Sequence, residues 1–254
     1  MSLTQSAQAK FDRARQQREA LERDLLALCD PEEYPVVEET QAATGIHIYR
    51  FAKVPPIPED LSLRIGETLY NFRCSLDHLI WQLVVSEGNT PTHRNEFPIF
   101  KGIDSYNRAK RRSLCGVPAG AIPVIDSLQP CHSTLPHDYW WHLWYLHELC
   151  NADKHRHLLL ARRGVGYLAV GWYGSEPSPA PDLPRFDKPV DSFQAFLRIS
   201  SSADMRGVVI RPTILVRFGN PPQDIRADLT VERIMRLIEV SVRVAFNRLS
   251  PFLK

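Results

Sequence analysis

A helical run that carries a polar stripe between two apolar flanks constrains this chain more than any other feature. Residues 61–83 read Leu-Ser-Leu-Arg-Ile-Gly-Glu-Thr-Leu-Tyr-Asn-Phe-Arg-Cys-Ser-Leu-Asp-His-Leu-Ile-Trp-Gln-Leu. At about 100° per residue, Arg64, Glu67, Asn71, Ser75, His78 and Gln82 fall within roughly 80° of one another. Leu61, Phe72 and Leu79 border that stripe on one side, and Leu63, Tyr70, Cys74 and Trp81 on the other. A solvated face is not bordered so tightly by large apolar groups, so the stripe is expected to look into a groove between helices.

A second helical segment, residues 138–157, repeats the pattern. His147, Asn151 and Lys154 stack at i, i+4 and i+7, with His155 to one side. Trp140, Leu143 and Trp144 share that face one to two turns earlier, and six of the nine histidines lie between His132 and His157.

The 254 residues are long enough to bury a sizeable core, and we expect one domain over 1–254. A composition of 44% hydrophobic and 24% charged residues is that of a water-soluble globular protein. A net charge of +2 gives no global argument for a polyanion. Lys110-Arg111-Arg112 with Arg108, Arg162-Arg163 and the Arg-rich last helix are local basic candidates, each of which also reads as a solvated face. The five cysteines form no C-x-x-C pair, no signal peptide is expected, and no apolar run approaches the ~18 residues of a membrane span. The expectation is a reduced cytoplasmic protein that does not enter a membrane.

Along the chain, residues 1–30 predict a long helix, ended by Asp30-Pro31, with large apolar residues dense only in its second half. Its first half is therefore expected to be exposed or held by a partner. Ile46–Phe51 alternates as a strand does. Asp60 is placed to cap the first key helix, which opens a helical core over 59–157. Between 101 and 137 one short basic helix (105–114) and irregular connection are expected. The region 157–220 reads as mainly β: a hairpin turning at Gly164-Val165-Gly166, then strands near 192–200 and 207–218, with Pro212 marking an edge or a break. Residues 228–254 hold an amphipathic closing helix. The predicted fold class is α+β: an antiparallel helical core, a small antiparallel β-sheet, and long N- and C-terminal helices.

Two resemblances follow from these motifs. Arg73 and His78, in Arg73-Cys74-Ser75-Leu76-Asp77-His78, stand at the R-x4-H spacing, and the segment resembles HEPN-type domains. These are small, often dimeric helical proteins, many of them metal-independent endoribonucleases in which that Arg and His are catalytic. Over residues 64–157 the chain also resembles a group of uncharacterised bacterial proteins with a "GxxLHNLRxxLDH" helix followed by an "NxDKHR" helix, a likeness that implies no known activity. Arg73 also stands i, i+4 from Asp77, a pair expected on the exposed face.

If the two polar helices face one another, three chemistries are open. In the first, the cleft binds RNA and cleaves it without metal. His78 and His155 form the acid/base pair, Lys154 or Arg73 supports the phosphate, and Asn71, Ser75, His147, Asn151 and Trp144 contact the substrate, the tryptophan by stacking. In the second, the Asn/His/Lys cluster is an internal hydrogen-bond network of a non-catalytic interaction module. In the third, Cys74 and His78 (i, i+4) and His147 and Cys150 (i, i+3) converge on zinc. His147-Glu148-Leu149-Cys150-Asn151 begins like H-E-x-x-H but has Asn151 at the second ligand position. No nucleotide-binding glycine loop occurs, and no cofactor is expected. The expected partners are RNA and a second copy of the chain, docked through the N- or C-terminal helix.

Overall fold

The structure is a computed structural model that describes residues 4–133, 141–155, 161–172, 197–199, 208–219, 221–226 and 228–253. The chain is α+β, with elements in the order α1 (Thr4–Leu28), β1 (Val36–Gln41), β2 (Ile46–Phe51), α2 (Leu61–Ser86), α3 (Ile103–Ser113), α4 (Ala121–Ser127), α5 (Trp141–His155), β3 (Ala161–Trp172), β4 (Leu197–Ile199), β5 (Val208–Phe218) and α6 (Val231–Leu249). These group into a helical unit (1–22, 59–160 and 220–254) and a β unit (23–58 and 161–219). None of the described helices is long and apolar enough to cross a membrane.

Helix α2 is the centre of the helical unit. Leu61, Ile65, Leu69, Phe72, Leu76, Leu79, Ile80 and Leu83 recur at helical spacing and are buried, each worth about 1.5–3 kcal/mol on transfer from water. Asp60 precedes the helix but makes no capping bond with its side chain. Its carboxylate pairs instead with Arg64 at 3.6 Å. At the other end Gly88 takes φ +83, and the amides of Gly88 and Asn89 bond back to Val85 and Val84, the paired bonds that close a helix at a left-handed glycine.

The first half of α1 is neither exposed nor left to a partner. Ala7, Phe11 and Ala14 are buried in line with Leu21, and Phe11 lies between Phe72 of α2 and Phe246 of α6, at 6.0 and 5.3 Å between ring centres. Small alanines let the helices approach closely, which is why few large apolar residues are needed there. Helix α6 opens at Thr230, whose hydroxyl accepts the Arg233 amide, and it buries Val231, Ile234, Ile238, Val242 and Leu249. Arg18 of α1 bonds the buried Glu239 of α6, and Arg236 bonds Glu22. The 101–137 region holds a second helix, α4, beyond the expected basic one. Pro123 obscures it in the sequence, yet it sits in the first turn, where a missing amide hydrogen costs nothing.

In the β unit, β1-β2-β4 form one antiparallel sheet and β3-β5 another. The expected hairpin at Gly164-Val165-Gly166 is absent: these residues lie inside one continuous strand, β3, that pairs with β5 from Ala161↔Phe218 to Trp172↔Val208. The glycines instead accompany a register shift between Val165 and Tyr167, a place where a strand tolerates a bulge. Pro212 faces Leu168 in that ladder, and β5 has a single described neighbour, the edge position its proline requires. Tyr34, Phe51 and Ile214 form the local core. The expected strand near 192–200 is described only at its β4 residues.

Candidate functional site

The polar stripe of α2 from Asn71 to Gln82 meets α1. Asn71 donates to Gln17 Oε1 at 2.9 Å and accepts from Lys10 Nζ at 3.3 Å. Ser6 Oγ lies 3.1 Å from His78 Nδ1 and 3.0 Å from Gln82 Nε2. Ser75 is fully buried and donates to the Phe72 carbonyl of its own helix. Asn71, Ser75 and His78 are therefore engaged within the fold. They do not join His147, Asn151 and Lys154 in one cleft. The R-x4-H pair diverges in the same way, with His78 turned to Ser6 while Arg73 turns away.

Arg73 is not on an exposed face, because the loop at 95–100 covers it. Its Nη2 donates to the Phe97 carbonyl at 2.8 Å and pairs with Asp77 at 3.1 Å, and Asp77 accepts the Phe97 amide at 2.9 Å. The expected Arg73–Asp77 pair thus exists as a clip on that loop. Arg73 Nη1 is buried with no hydrogen-bond partner.

The neighbouring face of α2 does meet α5. A Cβ at Gly66 would stand 2.5 Å from Asp153 Oδ2, Tyr70 carries the Lys154 ammonium 5.2 Å from its ring centre, and Arg73 acts electrostatically on His147. As α2 advances from 66 to 73, its α5 partners fall from 153 to 147, so the two helices run antiparallel. Between them lies a cleft of about 270 Å³ lined by the buried Gly66 and Cys150 together with Leu63, Glu67, Tyr70, Asp153 and Lys154. Leu63 and Tyr70 are about half exposed, at 52% and 48%. One apolar flank of the stripe is therefore open, where the sequence predicts both covered.

Electrostatics separates the residues that can react from those that cannot. Burial, with the Arg73 and Lys154 cations nearby, pushes His147 down to about 4. Its ring is neutral at pH 7, stacks on Trp144 with 5.0 Å between centres, and has Nε2 2.9 Å from the Asn151 amide nitrogen. Trp144 in turn donates Nε1–H to Asp224 at 3.0 Å. Burial pushes the Cys150 thiol up to about 12, so it is no nucleophile at neutral pH. Burial also raises the Asp153 carboxyl, whose Oδ1 has no hydrogen-bond partner. The side chain of His155 lies outside the described residues. Because His78 faces Ser6, the Cys74–His78 and His147–Cys150 pairs do not converge. Among the described residues no group of three or more His, Cys, Asp or Glu is arranged to hold a metal.

The cleft lies between the two helices whose polar faces stand out in the sequence, and Lys154 lines it; Gly66, Tyr70, Cys150 and Asp153 line it too and were not among the expected catalytic or substrate-contacting residues. Gly66 carried a readable signal: an interior helical glycine costs about 1 kcal/mol against alanine and marks a close approach. No protein-family model, curated protein or solved structure matches this chain.

Proposed function

We propose that this chain binds single-stranded RNA at the α2–α5 cleft and takes one unstacked base into it. The observation that carries this reading is a cleft lined by the Asp153 carboxyl and walled by a half-exposed tyrosine ring under a lysine ammonium. A carboxylate accepts from the amino and imino groups of a base edge, an aromatic ring stacks on its face, and an ammonium holds the adjoining phosphate. The volume is below the roughly 300–1,000 Å³ that takes drug-sized ligands, which suits one ring system. Cleavage needs two proton-transfer groups within reach of the substrate. Of the expected acid/base pair, His78 is held by Ser6 on the α1 side, and the side chain of His155 lies outside the described residues.

The test is anisotropy titration of labelled homopolymer RNA octamers. Wild type is expected to bind with a base preference. Tyr70→Ala and Lys154→Ala should each weaken binding about 5- to 100-fold, the worth of one stacked base. Asp153→Asn should change the base preferred. No binding, or equal binding by all four proteins, overturns the reading. Strand scission by wild type that Arg73→Ala abolishes would replace binding with cleavage.

A further inference from the structure

We infer that a second site, formed where the loop after α2 meets the C-terminus of α3, binds phosphate groups. It does not depend on the α2–α5 cleft and shares no residue with it. The pocket encloses about 500 Å³ and is lined by Arg94, Arg111 and Arg112 with the hydroxyl-bearing Thr90 and Thr92. No carboxylate lines it. Among the described residues none of the three guanidinium groups has an ion pair or hydrogen bond, whereas the neighbouring Lys110 is held by Asp126 at 2.6 Å and Arg108 by Ser105 at 3.1 Å. A helix C-terminus favours cations, which accounts for Arg111 and Arg112. It does not account for Arg94, which comes from a separate segment fixed against them.

That fixing makes the pocket a built one. The buried Asn95 donates to the carbonyls of Ser113 at 3.2 Å and Cys115 at 2.9 Å, and its Oδ1 accepts the Thr92 amide at 2.7 Å. Asn89 donates to the Gly116 carbonyl at 2.9 Å, and Gly116 holds φ +81. A Cβ there would fall 3.1 Å from Val84 and 3.2 Å from Asn89. The backbone on both sides is thus pinned while three guanidinium forks stay unpaired, and planar guanidinium groups bind phosphate oxygens in pairs.

A free phosphate compound and an RNA backbone present the same chemistry, so the test has one arm for each. Calorimetric titration of the full chain with inorganic pyrophosphate, and separately with an RNA octamer lacking terminal phosphates, is run on wild type, Arg94→Ala, Arg112→Ala and Arg108→Ala. The expected result is a loss of about tenfold or more for Arg94→Ala and Arg112→Ala in at least one arm, with Arg108→Ala unchanged. A loss in the pyrophosphate arm identifies a small phosphate ligand, and a loss in the RNA arm alone identifies the backbone. Tyr70→Ala tells a failure of the cleft from a failure of this pocket, since it should leave pyrophosphate binding intact. Equal binding by wild type and both pocket variants in each arm, or none at all, overturns the inference. A second readout needs no arginine variant: the exposed Cys115 thiol lines the pocket. Its alkylation by a neutral maleimide, measured against Cys115→Ser, should slow several-fold under whichever ligand binds, and an unchanged rate contradicts the assignment.

Discussion

Helix α2 meets α1 with polar side chains of its own and meets α5 with Gly66, Leu63 and Tyr70 opposite the polar Asp153 and Lys154, and the two contacts differ. On the α1 side, Asn71, His78 and Gln82 each find a partner among Ser6, Lys10 and Gln17. On the α5 side, Asp153 keeps an oxygen unpartnered over a glycine and Lys154 rests on an exposed ring. Only the first contact is closed. A satisfied buried network specifies how two helices pack, whereas an unsatisfied buried group weakens the fold and is kept where a ligand completes it.

The largest effect that would sharpen this contrast is a pH dependence. His147 is depressed to about 4 from an ordinary value of 6.5. The unfolded chain therefore binds the proton first as pH falls, and stability present above 6.5 is lost between 6.5 and 4. By linkage this is roughly 3 kcal/mol. His147→Gln should flatten that segment of a urea-unfolding pH profile, and an unchanged slope would place the proton uptake elsewhere. Next comes the α1 face. Asn71→Ala strands Gln17 and Lys10 and should cost about 2 kcal/mol, and His78→Ala, which leaves Ser6 to Gln82, about 1 kcal/mol. RNA affinity should not change in either variant. Smaller again is Gly66→Ala. The added methyl meets the Asp153 carboxylate, so the roughly 1 kcal/mol that alanine adds to a helix is offset or reversed. In an Asp153→Ala background the same change should stabilise, a sign reversal that a double-mutant cycle reads directly.

Much of this was legible in residue order. The apolar periodicity of residues 61–83 fixes α2, and that of 230–249 fixes α6, because burial sets both patterns. The stripe itself was legible, but not which of three helices it meets: Ser6, Lys10 and Gln17 look like surface residues until α1 is placed, and alanines mark the buried side of that helix. Pro123 hid α4 because a first-turn proline and a helix-breaking one read alike. Gly164 and Gly166 suggested a turn because a bulge and a turn draw on the same conformational freedom. Arg73 appeared exposed because the loop that covers it is distant in sequence.

On the proposed function, the α1 face of α2 holds the fold and the α5 face is kept for a ligand. Urea unfolding of wild type, Asn71→Ala and Asp153→Asn at pH 7 tests it most directly. Opposite signs are expected: Asn71→Ala loses stability, and Asp153→Asn gains a few tenths to about 1 kcal/mol as a carboxyl that burial disfavours in its charged form gives way to a neutral amide. If Asp153→Asn costs as much as Asn71→Ala, both faces are architecture and the cleft is not a binding site.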